Sequence, residues 1–374
     1  MPSDLVDRVD DFQRRHVVVG FPLAVVYKFF DDQGPYLAAI LTYYAFVAIF
    51  PILLIASSVL GFFLQGNEEL YKAVLNSALG RFPIVGTQLG EPEGLTGSRS
   101  AIIIGSLAAL YGALGLATAA QHALNTAWAV PRNSRFNPFV GRFRAFITLL
   151  GAGIAVLGTS LAAVFLNNLD GMLGTNVDAW ISRIGTLLGI ALTAVVLSLM
   201  MRYTTARRPS FRTCLPGGIT IALLWHGLQI GGGAYVKHVI NRASDMNGVF
   251  ALVLGLLGLL FLACSFAVIG VEVSVVTRER LYPRALLTPF TDAVELTEAD
   301  RRAYVNYAKA LRHKGFQQIE VTFHDRDRPD QLVRHDETTV SIPVVREGSP
   351  QPEEPPGRRI GRQERDGRGG RRSG

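Results

Sequence analysis

YLAAILTYYAFVAIFPILLIASSVLGFFL, residues Tyr36–Leu64, is the stretch on which the fold turns, because it holds no Asp, Glu, Lys, Arg or His. An α-helix needs about 20 consecutive apolar residues to cross the hydrocarbon core of a bilayer, and this run exceeds that. Five more runs of comparable character follow at Ala101–Ala120, Phe143–Phe165, Ile181–Met201, Gly217–Ile240 and Val249–Val276. The pattern predicts an all-α membrane protein whose core is a six-transmembrane-helix bundle.

Composition agrees. The chain of 374 residues is 49% hydrophobic and only 18% charged, with a mean hydropathy of +0.27. A soluble domain carries about 25% charge. The deficit is concentrated between Tyr36 and Val276, and charges are dense afterwards. The net charge of +7 would suggest nucleic-acid binding in a soluble protein. In a membrane protein it is explained by basic residues held in cytoplasmic loops and tails, so no nucleic-acid partner is expected.

Those loops set the orientation. The loop after the second apolar segment carries Arg132, Arg135 and Arg142 without an acid, and the loop after the fourth carries Arg202, Arg207, Arg208 and Arg212. The loop after the third has Asp170 and Asp178 and no base, and the first is mixed. Basic loops stay inside, which places both termini of a multi-pass membrane protein in the cytoplasm. Met1–His16 has no apolar core of the kind a cleaved signal peptide needs.

Four regions are expected. Residues 1–35 form a cytoplasmic N-terminus in which Phe21–Phe30 (FPLAVVYKFF) is too short to span and is followed by Asp31 and Asp32. Two adjacent aspartates are costly at membrane depth, so this segment is expected as an interfacial helix separate from the first span. Residues 36–277 are the transmembrane domain, and 278–346 a small cytoplasmic α+β extension. In that extension LTEAD (Leu296–Asp300) reads as a capping-box variant, Ile319, Val321 and Phe323 alternate as a short strand, and Thr338–Val345 is a second extended stretch. Residues 347–374 are Pro, Gly, Arg and Glu with almost no apolar residue, a composition that stays disordered.

Several residues could carry chemistry. Pro51 lies mid-helix, where it opens a hinge or fixes a packing kink. Gly231–Gly233 interrupt the fifth segment, flanked by His226, Gln229, Tyr235 and Lys237. Such a break exposes backbone to a substrate, or the glycines admit a neighbouring helix. Glu272 near the end of the sixth segment must face a cavity, a partner or water, as a proton or cation relay or as a structural bond. Asn125, Trp128, Arg132, Arg135 and Arg142 could anchor the second helix at the interface or bind a lipid headgroup.

No catalytic constellation emerges. The seven histidines are scattered, no HxxxH or HxH pair offers a metal site, and Walker and GxSxG motifs are absent. Cys214 and Cys264 have no metal spacing and are not expected to pair. No cofactor and no enzyme activity are predicted.

Ala38, Ala39, Tyr43, Tyr44, Phe50 and Pro51 form an Ala-Ala-x-x-x-Tyr-Tyr stretch followed by Phe-Pro, and the chain here resembles the YihY/BrkB family of bacterial inner-membrane proteins. The Asn125–Trp128 region, the arginines after it and the sixth segment ending in GVEV are similar too. Val271 stands where that family usually has alanine before the glutamate. The resemblance implies a six-helix, multi-pass protein of the plasma (inner) membrane. Some members carry an old label as a tRNA-processing nuclease, whereas others are linked to serum resistance and export of envelope lipid precursors.

The expectation is therefore a transporter or flippase-like exporter of an envelope lipid or related anionic substrate. Its cavity would be lined by Tyr43, Tyr44, His226 and Glu272, with Pro51 and Gln229 along the pathway. The alternative is a membrane scaffold whose tail recruits a protein partner. Whether Gly255 and Gly258 pack helices within one chain or in a homo-oligomer is left open by the sequence.

Overall fold

The computed structural model describes residues 2–63, 99–148, 178–240, 245–292, 294–324 and 332–333, with 150, 151 and 154. Nine helices lie within the described residues. In chain order they are α1 (Pro2–Arg15), α2 (Val17–Asp31), α3 (Gly34–Phe63), α4 (Arg99–Ala127), α5 (138–148), α6 (Asp178–Thr204), α7 (Phe211–Ile240), α8 (Asp245–Glu279) and α9 (Glu298–Ala310). A 3-10 turn at Arg132–Ser134 joins α4 to α5. The loop after the first apolar segment, most of Phe143–Phe165, Thr338–Val345 and 347–374 lie outside the described residues.

Arg183–Thr204 of α6 and Val253–Glu279 of α8 are long and apolar enough to cross a bilayer, and Gly34–Ile49 of α3 is a shorter apolar stretch. Only 17% and 22% of the apolar windows of α6 and α8 are buried, and Ile184, Leu187 and Leu188 are each more than half exposed. The core helix of a soluble protein would bury that surface. An apolar solvent removes the need, because the driving force is transfer out of water.

Glycines set how closely the helices approach. A Cβ on Gly115 of α4 would sit 2.1 Å from the Tyr44 ring of α3, and one on Gly112 would sit 2.9 Å from the Ala48 backbone. The consecutive glycines of α7 face opposite neighbours. A Cβ on Gly217 would lie 2.1 Å from the Gly270 carbonyl of α8, and one on Gly218 would lie 2.1 Å from Ser198 Oγ of α6. Ser274 Oγ accepts from Gly217 N at 3.0 Å and donates to the Cys214 carbonyl at 3.2 Å. Thus the Pro216-Gly217-Gly218 element seats α7 between α6 and α8.

The FPLAVVYKFF segment is not a continuation of α3. α2 ends at Asp31, Gln33 turns the chain with φ of 57°, and a Cβ on Gly34 would strike the Phe29 ring. Far from resting only on a surface, α2 buries Gly20, Ala24, Val25, Tyr27, Lys28 and Phe29. Ala24, Val25, Trp128, Cys214, Val275 and Ala303 share one buried cluster. The segment beyond the last long helix is therefore packed into the same core through α9.

Two expectations are corrected. The fifth segment is unbroken: α7 runs helically through Gly231–Gly233. Each glycine costs a helix about 1 kcal/mol, but an unmade backbone hydrogen bond in an apolar setting costs several, so the ladder is kept. Ile319–Thr322 form no strand. The described ladder is Phe323–His324 paired antiparallel with Leu332–Val333, and Ile319 is instead buried. The Thr297 capping box on Asp300 is present as expected.

Candidate functional site

Lys28 and Asp32 stand one turn apart at the end of α2, and both are nearly closed to solvent, at 2% and 6% exposure. An acidic residue at a helix C-terminus opposes the helix dipole, and Lys28 offsets that by donating to Asp32. Lys28 Nζ also donates to the Ala127 carbonyl at 3.1 Å, satisfying an orphan acceptor at the end of α4. It lies 3.5 Å from Glu272 Oε2 of α8 and 5.1 Å from the centre of the Tyr307 ring.

Glu272 is fully buried. Neither of its oxygens meets hydrogen-bond geometry, so Lys28 is its ion-pair partner among the described residues. Asp32 is within electrostatic range of Glu272 as well. One ammonium thus serves two carboxylates, and full ionisation would leave a buried excess of negative charge, which is expensive. Burial raises the Asp32 carboxyl above its ordinary range against the lowering pull of Lys28. For Lys28, burial works against the charged form, but Glu272 and Asp32 outweigh it and hold the ammonium's pKa above the ordinary lysine value.

A second cluster adjoins the first through Asp31. Arg284, 1% exposed, donates to Asp31 Oδ2 at 2.9 Å and to Asp300 Oδ1 at 2.5 Å. Asp300 also accepts from Ala285 N and Thr297 N, each at 3.0 Å. Tyr307 donates to Asp31 Oδ2 at 3.3 Å, and its phenol is raised by burial and by the nearby Asp32, Asp31 and Glu272 charges. From α1, Gln13 donates to the Arg284 carbonyl at 2.5 Å, and Asp10 Oδ1 accepts from Leu286 N at 2.8 Å. Adjacent aspartates therefore bridge two ion clusters: Asp32 holds Lys28, and Asp31 holds Arg284 and Tyr307.

Of the residues singled out in the sequence, Glu272 alone belongs to this site. Tyr43 and Tyr44 pack edge to face at 5.1 Å on α3, with Tyr44 next to Tyr111 of α4. Pro51 is carried within α3, and its side chain lies outside what is described, as do those of Tyr235 and Lys237. His226 and Gln229 are half-buried on α7. Gly217 meets Gly270 where α7 runs back along α8, so His226 and Glu272 are offset along the helices by about 16 Å. Neither the α5–α6 cleft nor the α7–α8 groove is lined by Tyr43, Tyr44, His226 or Glu272. An apolar groove of about 600 Å³ does lie between α7 and α8, bordered by Gly227, Gly231, Gly258 and Leu262.

The expected interface residues divide. Trp128 is 3% exposed within the main core, and Asn125, 4% exposed, accepts from Ala206 N at 3.0 Å, so both are internal rather than turned to a headgroup. Arg135 donates to the Val130 carbonyl and, with Arg132 and Arg142, sits in the loop and first turn around α5. Arg132 approaches His313 at 3.4 Å, and Asn133 N donates to the Arg312 carbonyl at 3.2 Å, which docks this loop on the end of α9. Among the described residues no group of three His, Cys, Asp or Glu is placed to hold a metal.

Sequence reading missed Lys28, Arg284 and Tyr307, and it read Asp31 and Asp32 only as a limit on membrane depth and Asp300 only as a cap. The available signal was Lys28 itself, the one charge within FPLAVVYKFF.

The model of the family described as Virulence factor BrkB matches residues 25–292, well over half of the chain. That span includes Lys28, Asp31, Asp32, Glu272 and Arg284 and stops before Asp300 and Tyr307. No curated protein and no solved structure matches the chain.

Proposed function

The chain belongs to the Virulence factor BrkB family, and on that premise we propose that this membrane protein is a six-span transporter of the inner membrane with both termini in the cytoplasm. Its substrate is an anionic amphiphile, an envelope lipid or a related precursor. One observation carries the reading: Glu272 is a fully buried carboxylate that, among the described residues, shares a single ammonium with Asp32 and accepts no well-formed hydrogen bond. A purely structural ion pair gains by satisfying every oxygen. A buried carboxylate that shares its ammonium with a second carboxylate is suited to taking up a proton or exchanging its partner as the helices move.

In this mechanism Lys28 alternates between Asp32 and Glu272, and the exchange shifts α2 against α8. Asp31, adjacent to Asp32, passes that movement to Arg284 and α9. The arginines of the cytoplasmic loops gather the anionic substrate.

A scaffold remains the second reading, favoured by the way α9 and the Arg284 loop are tied into the bundle. A nuclease reading is disfavoured, because Asp32 and Glu272, at 6% and 0% exposure, are out of reach of RNA. No catalytic role is proposed.

The test is translocation of labelled anionic and neutral phospholipids by the full chain in liposomes, with Glu272→Gln alongside. Fast translocation slowed by Glu272→Gln in a normally folded protein supports transport. Equal rates in protein-free and protein-loaded vesicles would remove it and leave the scaffold, which predicts loss of function on deleting Arg278–Gly374.

A further inference from the structure

α5 and α6 do not close on each other at the end of α6. Between them is a cleft of about 770 Å³ with Phe143, Ile147 and Leu199 along it and Arg144, Arg202 and Arg208 among its lining residues. The apolar wall is exposed, with Phe143 69%, Ile147 50% and Leu199 37% accessible. Among the described residues no acidic residue lines the cleft.

The arginines are held there by the fold. Arg144 donates through Nε to the Tyr203 carbonyl at 2.5 Å, capping the C-terminus of α6 where a cation is favoured, and its guanidinium stacks over Phe136 at 4.6 Å. Arg202 stands beside the Tyr203 ring. Arg208 is turned by a left-handed backbone conformation, φ 48°. The neighbouring Arg207 points away and pairs with Glu279 at 3.2 Å. Among the described residues Arg144, Arg202 and Arg208 make no ion pair, so three arginines line the cleft and none of them is neutralised by a described carboxylate.

We propose that this cleft binds an anionic phospholipid, its phosphate held among Arg144, Arg202 and Arg208 and one acyl chain lying along Phe143, Ile147 and Leu199. Charge complementarity selects the occupant. Guanidiniums match phosphate geometry and are weakly hydrated enough to work at the interface. The apolar wall continues from the charged end along two helices, as a headgroup with an attached chain requires and a free phosphate does not. A cleft of this volume lies within the usual range for small-molecule sites. The site is separate from the Lys28–Glu272 cluster and does not require that the protein move lipid.

The full-length Phe143→Trp protein in detergent tests this by quenching of the added emission with lipids brominated on their chains. Phosphatidylglycerol should quench at a concentration on the order of ten-fold below phosphatidylcholine, since each arginine near an anionic headgroup contributes measurably. High salt should erase most of that preference. Arg202→Gln with Arg208→Gln should abolish it, and Arg202→Lys with Arg208→Lys should keep most of it. Equal quenching by the two lipids at low salt overturns the proposal, as does a preference that survives the double Gln change. If the Gln variant fails to fold, a preference that persists at high salt in the Phe143→Trp protein has the same force. Inorganic phosphate at the lipid's concentration that removes the preference would assign the site to a free anion and overturn the lipid. Failure of the translocation assay would leave these binding results standing.

Discussion

Lys28 Nζ of α2 lies 3.5 Å from Glu272 Oε2 of α8, with the two side chains 2% and 0% exposed. The lysine's hydrogen bonds go elsewhere, to Asp32 and the Ala127 carbonyl. It therefore ties α2, α4 and α8 together at one end of the bundle while leaving Glu272 under-satisfied.

Lys28→Met should be among the most damaging single changes in the described chain. It strands two buried carboxylates, and removing one partner of a buried pair costs about 3–5 kcal/mol. Adding Asp32→Asn and Glu272→Gln should recover a large part of the loss. Unfolding in detergent followed by circular dichroism measures both, and a triple variant no more stable than Lys28→Met would show that charge is not the cause.

Stability should depend on pH through Asp32. Its carboxyl is raised above the ordinary value of 3.8, with burial the largest cause. The unfolded chain then gives up this proton first, and the folded state is penalised as pH rises from about that value through the raised one. Asp32→Asn removes this slope. The Tm of the parent minus that of Asp32→Asn should fall as pH rises from about 4 toward neutrality. A difference that stays flat or grows would remove Asp32 as a proton-binding group in this cluster.

The glycines of α7 should respond in opposite senses. Gly217→Leu meets the Gly270 backbone, which cannot yield, and should cost about 3 kcal/mol or more or abolish folded yield. Gly231→Ala meets nothing within 4 Å and replaces a glycine inside a helix, a change that favours stability by about 1 kcal/mol. Thermal denaturation of the two variants checks the pair. If Gly231→Ala unfolds the protein, α7 is not a plain helix at that point.

Arg284 and Asp300 should be strongly coupled. Arg284→Ala frees Asp31 and Asp300, and Asp300→Ala also dissolves the capping box of α9. A double-mutant cycle should give an interaction energy toward the upper end of about 0.5–3 kcal/mol. Limited proteolysis should then release the α9 region in either single variant. Additive effects would mean that α9 is held by its apolar contacts, Ala303 and Tyr307, alone.

The sequence by itself determined that this chain is helical and apolar. Inside a bilayer, an unpaired apolar run as long as Val253–Glu279 satisfies its backbone as a helix. It also marked Glu272, because a lone carboxylate in an apolar run is legible without knowing its partner. What only the tertiary structure decided is which charges meet. Lys28 and Glu272 are far apart in sequence, and no period or spacing links them. They pair because Ala24 and Val25 of α2 pack in one buried cluster with Val271, Val275 and Val276 of α8, which brings the two side chains together away from water. Similarly, the Gly231–Gly233 run looks like a break in one dimension, yet the helix continues because unmade backbone bonds cost more than glycine's entropy. Local chemistry fixes what each segment can be. Close approach in three dimensions, where Coulomb energies grow as water is excluded, fixes which residues act together.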